Sequence, residues 1–97
     1  MAREARSEER AELPPLDFST FVLSLATSAL YHLRLVPDPQ SGALPELDLP
    51  LARQTIETLE MLQERTRGNL DEEERKLLES LLYEVRMRFV EVGRGAG

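Results

Sequence analysis

The sequence predicts a small all-α domain: three helices, with a central apolar helix packed on an antiparallel helical hairpin and flexible tails. Three observations predict it. From Phe18 to Leu33 the chain holds no Asp, Glu, Lys or Arg, although 31% of all residues are charged. Two later stretches repeat apolar residues at the helical steps of three and four. The strongest turn signals, a proline-rich run over 36–50 and the Gly68-Asn69 pair, fall between these stretches.

Residues 1–16 read as a flexible charged segment ending in a proline linker. MAREARSEERAE has no periodic apolar face, and Pro14-Pro15 stiffens the chain into an extended connector. Asp17 stands where an N-cap belongs. The first helix then presents a broad apolar arc of roughly 200°, made of Phe18, Phe21, Val22, Leu23, Leu25, Ala26, Ala29, Leu30 and Leu33. Thr20, Ser24, Thr27, Ser28 and Tyr31 fill the other side. That second face is uncharged, which is unusual for a surface left to water. The helix is expected to end near Arg34 or Leu35, because Pro37 follows.

Residues 36–50 hold four prolines and Gly42, with a turn expected at Pro39-Gln40-Ser41-Gly42. The loop is long for a small helical domain. It reads first as a spacer that lets the second helix run back along the first, and second as a carrier of binding contacts. Asp48 caps the second helix and Pro50 fits its first turn. Leu51, Ala52, Thr55, Ile56, Leu59 and Leu62 form its core face; Arg53, Glu57, Glu60 and Glu64 form the wet one. Gly68 is expected at the C′ position.

The third helix has the clearest start, a capping box from Asp71 to Glu74 with three acids at the positive end of the dipole. Its core face is Leu77, Leu78, Leu81, Leu82, Val85, Phe89 and Val92. Glu72 with Lys76 and Glu84 with Arg88 are favourable i,i+4 pairs. Gly93 is expected to end it, which gives a domain over 17–92 and a flexible tail over 93–97. Tyr83, Met87 and Val90 make a second apolar stripe opposite the core, and Met61 is similarly off-face on the second helix.

Composition narrows the function. The chain has 97 residues, one domain at most, with a core near the lower size limit for independent stability. The net charge is −6, which argues against sequence-independent nucleic-acid binding, and the absence of Trp leaves little for base stacking. There is no cysteine, hence no disulfide or thiolate site, which fits a cytoplasmic protein. No secretory leader is visible, and the apolar stretch is too short and too rich in Ser and Thr for a membrane span.

Catalytic equipment is not evident. The single histidine, His32, lies beside Phe21 and Leu25 on the wheel and reads as a packing residue rather than a base. Ser28 is one turn away, but no orienting acid completes a triad. The acids at 71–74 read as a helix start, not a metal site. No glycine pattern suits a phosphate loop. Neither a cofactor nor a metal is expected. Two features point instead to protein binding: the uncharged face of Thr20, Ser24, Thr27, Ser28 and Tyr31, and the stripe of Tyr83, Met87 and Val90.

With FSTFVLSLATSALYHL, a loop containing PDPQSG, and LPLARQTIETLEMLQERTRGNLDEEERKLLESLLYEVRMRF, the sequence resembles the small bacterial family known as domain of unknown function 1844. The resemblance spans roughly Asp17 to Val90. In the family pattern Gly is frequent where Arg34 stands and Thr where Asp71 caps. The family brings no catalytic residues to this chain. It includes a polarity protein of gliding bacteria that works with a response-regulator-type scaffold to activate a Ras-like small GTPase at the cell pole. The resemblance therefore implies a non-enzymatic adaptor with protein partners of that kind and a cytoplasmic, partner-dependent polar location. The alternatives are a homodimeric structural protein with no GTPase link and, last, a small enzyme using His32.

Overall fold

The computed structural model describes residues 15–96; the expectations for 1–14 and for Gly97 lie outside the described residues. The described residues form three α-helices, α1 (Phe18–His32), α2 (Leu49–Arg65) and α3 (Glu72–Ala96), and each helix packs on both others.

The start of α1 is set by Asp17, whose carboxylate accepts from the Thr20 N–H at 2.7 Å. Val22, Ala26, Ala29 and Leu33 are buried, at steps of four, three and four. Phe18, Leu25 and Leu30 pack at the margins of this stripe. The buried arc is narrower than the sequence suggests. Phe21 and Leu23 are 38% and 51% exposed and belong to the outer face. Each lies about 100° from Val22 on the helix, past the point where a neighbouring helix still covers a side chain.

The end of α1 is a Schellman turn. The Leu35 N–H donates to the Leu30 carbonyl at 2.9 Å, and the Arg34 N–H to the Tyr31 carbonyl at 3.0 Å. Arg34 occupies the left-handed C′ position, with φ 63°, where glycine is usual.

The loop after α1 is organised by one carboxylate. Asp38 accepts from the backbone N–H groups of Gln40 and Ser41 at 2.8 and 3.0 Å. The Gly42 N–H closes back on the Asp38 carbonyl at 2.8 Å, with Gly42 at φ 74°. The expected turn at 39–42 is present. The spacer reading is corrected, however. The Asp48 N–H donates to the His32 carbonyl at 2.9 Å, so the two ends of the loop meet. A far shorter turn would join α1 to α2, and the segment is an excursion of the Ω-loop kind.

Asp48 caps α2 through the Leu51 N–H at 3.0 Å, with Pro50 in the first turn. Ala52, Thr55, Ile56 and Leu59 are buried. Leu51, expected in the core, is 39% exposed, because it sits in the first turn at the edge of the contact. Thr66 caps the end of α2, and Gly68, at φ 84°, lies two residues beyond that cap rather than one. The Asn69 N–H to Thr66 carbonyl bond, 2.8 Å, closes the turn that needs it there.

The capping box of α3 is reciprocal. The Glu74 N–H donates to Asp71 Oδ1 at 2.8 Å and the Asp71 N–H to Glu74 Oε1 at 3.0 Å. Leu78, Leu82 and Val85 are fully buried, with Leu77, Leu81 and Phe89 partly so. The expected stop at Gly93 is corrected: α3 continues through Gly93 to Ala96. A helical glycine costs only about 1 kcal/mol, and no proline follows to force an end.

Candidate interaction surface

Among the described residues the outer side of α1 is an uncharged face that the fold leaves uncovered. Thr20, Phe21, Leu23, Ser24 and Thr27 are exposed, and Ser28, Tyr31 and His32 half-exposed. None carries a carboxylate, ammonium or guanidinium. The hydroxyls are less available to water than their number suggests. Ser24 Oγ donates to the Phe21 carbonyl at 2.7 Å, and Thr27 Oγ1 to the Leu23 carbonyl at 2.9 Å. Ser28 Oγ lies 3.4 Å from His32 Nε2 and the Tyr31 hydroxyl donates to Asp38 Oδ2 at 3.5 Å, so four of the five hydroxyls are engaged within the chain. The sequence places Thr20, Ser24, Thr27, Ser28 and Tyr31 on one side, and the structure keeps them together. It adds Phe21 and Leu23 as the two edges. The 4-3-4 step of the buried stripe was the available signal that these two fall outside it.

Charge borders the face at its two ends and, through Asp38, beside Tyr31. Asp17 lies at its N-terminal end and Arg34 at its C-terminal end, each beside an exposed leucine, Leu16 and Leu35. The hydrogen bond from the Thr20 N–H holds the Asp17 carboxyl below its ordinary range, so it is charged near neutrality. Among the described residues Arg34 has no carboxylate within ion-pair distance.

Tyr83, Met87 and Val90 are 66%, 41% and 49% exposed on α3, as their spacing predicts. Met61 on α2 is exposed too. Val90 borders a shallow groove between α2 and α3 with Ile56 and Phe89. Arg53 lies over the Phe89 ring at 5.9 Å, and Arg86 donates to Glu60 at 2.8 and 3.0 Å, so this groove has a charged rim. Since every helix packs on both others, the outer faces of α1 and α3 look in different directions. The structure does not merge the two sets of candidate residues into one patch.

His32 is half-buried. Its Nε2 stands 3.4 Å from Ser28 Oγ, and its ring meets Tyr31 edge-on at 5.5 Å between centroids. Among the described residues no carboxylate, the third group that would orient a base, hydrogen-bonds to the ring. Among the described residues no three His, Cys, Asp or Glu side chains are grouped to hold a metal ion. Among those residues, also, no helix is long and apolar enough to cross a membrane.

The family model for a domain of unknown function, DUF1844, matches residues 15–91. The chain belongs to the DUF1844 family. Neither the curated proteins nor the solved structures give a match. The DUF1844 match covers all of α1 and α2 and all of α3 up to Glu91, so the uncharged face and the α3 stripe both lie within the family domain.

Proposed function

We propose that this DUF1844 protein is a non-enzymatic protein-interaction module whose working surface is the outer face of α1. One observation carries the reading: that face is uncharged over its whole length in a chain that is 31% charged, with Phe21 and Leu23 exposed along it. A face left to water would gain solubility from Lys or Glu at such positions. One covered by another protein avoids the cost of burying those charges. The stripe of Tyr83, Met87 and Val90 is a second contact area on the same module.

A narrower form of the proposal takes the chain for the polarity protein RomX or a relative, an adaptor that joins a response-regulator-type scaffold to a Ras-like small GTPase and promotes nucleotide exchange. What supports the narrower form is the family resemblance.

Affinity capture of the full chain from its host, with Ser24→Glu and Met87→Glu variants alongside, tests the proposal. Recovery of defined proteins by the wild type and their loss with Ser24→Glu is the expected result. Equal recovery by all three chains contradicts it. Exchange kinetics of a Ras-like GTPase with and without the chain test the narrower form.

A further inference from the structure

The outer face of α1 is a near-palindrome. Asp17, Thr20, Ser24, Thr27, Tyr31 and Arg34 follow one another in alternating steps of three and four, symmetric about the midpoint between Leu25 and Ala26. From Thr20 to Tyr31 this is the a/d spacing of a coiled-coil seam on the outer side of the helix, with Asp17 as the N-cap before it and Arg34 in the left-handed turn just past its end. Antiparallel pairing of two such seams sets a positions against d positions. It would place Ser24 of one copy against Thr27 of the other and Thr20 against Tyr31. Asp17 of each copy would fall at the same end as Arg34 of the other, and exposed Leu16 at the same end as exposed Leu35.

From this we infer that the α1 face binds a second copy of this chain, antiparallel and two-fold symmetric. The inference rests on the interaction reading above and names the occupant of its main surface. Three features select a second copy over an unrelated protein. The ends of the face carry opposite charges, and both are complementary only when the partner helix runs the other way with the same end groups. The middle is built from Ser24 and Thr27, small enough for two helices to approach within about 8–10 Å. Arg34, held in a left-handed conformation that favours glycine, has no carboxylate within ion-pair distance among the described residues. In the pair it meets the Asp17 oxygen that does not accept from Thr20.

The helical seam from Thr20 to Tyr31 is roughly 17 Å long, a short contact beside the ~20–30 residues a side of a standard interface. The two-fold axis makes every end contact occur twice, so one substitution acts at both ends.

Sedimentation equilibrium on the full chain over a range of concentrations, up to about 1 mM, tests the inference. The wild type is expected to approach dimer mass with rising concentration. Arg34→Glu, which leaves every helix cap in place, sets a second carboxylate against Asp17 at both ends and should weaken association at least ~10-fold. Asp17→Lys alone should also weaken it. Mixed with Arg34→Glu, it should form a heterodimer, because both ends are then complementary again. Circular dichroism on each variant establishes that helix content is kept. A wild type that stays monomeric at the highest concentration, or an Arg34→Glu chain that dimerises like the wild type, overturns the inference. A monomeric wild type that still captures a defined protein, lost with Ser24→Glu, overturns only the second copy and leaves the interaction reading standing.

Discussion

Arg34 and Gly68 make a pair at the scale of single residues. Both sit in the left-handed region at a helix end, and only Gly68 has the residue type for it. No heavy atom lies within 4 Å of a Cβ built on Gly68, so a side chain there meets backbone strain and nothing else. Gly68→Ala should lose about 1 kcal/mol, and Arg34→Gly should gain about as much. For a domain of this size that is roughly 4–8 °C in Tm, measurable by thermal melts at concentrations too low for self-association. An Arg34→Gly variant that melts lower than the wild type would mean that the arginine makes a stabilising contact within its own chain. Legibility at this scale was uneven. Asp17, Asp48 and Asp71 were readable as caps because capping is local and chemical. Phe21, Leu23 and Leu51 were misplaced because coverage at the edge of a helix depends on where its neighbours sit, which no local pattern states.

At the scale of elements, three hydrogen-bonded carboxylates hold the starts and the loop. Thr20 lowers the pKa of Asp17, the Ser41 and Gln40 amides that of Asp38, and Arg75 that of Glu72. Each group is more acidic folded than unfolded. The stability they add is thus fully present above the ordinary carboxylate range and is lost as pH falls through the lowered folded values, below about pH 4. Urea midpoints should be flat from neutral pH down to that region and then drop. Asp38→Asn should make the drop shallower. In the loop, Asp38→Ala should remove hydrogen-exchange protection at the Gln40 and Ser41 amides while leaving the helices protected. Unchanged protection there would contradict the role given to this carboxylate. The turn at 39–42 was readable from its residues, whereas the meeting of the loop ends was not. The Asp48 to His32 bond joins two elements across the loop, and only the packing of α2 on α1 brings them together.

The whole molecule is a small core with little margin. Leu33, Leu59, Leu78 and Leu82 are its largest fully buried side chains, one or two from each side of the three-way contact. Leu82→Ala should cost about 2–5 kcal/mol. That is a large share of the roughly 4–12 kcal/mol expected of a domain of some 80 residues. Leu82→Asp should leave no cooperative melt, while Leu81→Asp, at a half-buried position, should be milder. Comparable melts for the two Asp variants would show that the α3 core face is drawn wrongly. The three-helix class was legible because α2 and α3 carry clear periodic faces and caps. The working surface was legible only in part, since an uncharged helix announces that it is covered without saying on which side.

The absence of cysteine gives the most direct test of that surface. Ser24→Cys places one thiol in the middle of the α1 face, and Asn69→Cys places one in the exposed turn between α2 and α3, outside both candidate areas. Thiol labelling rates should be compared for the dilute purified chains and for the same chains inside the host cell. The account predicts that Ser24→Cys labels quickly when dilute and much more slowly in the cell, while Asn69→Cys labels quickly in both. Equal labelling of Ser24→Cys in the two settings would mean that nothing covers the face.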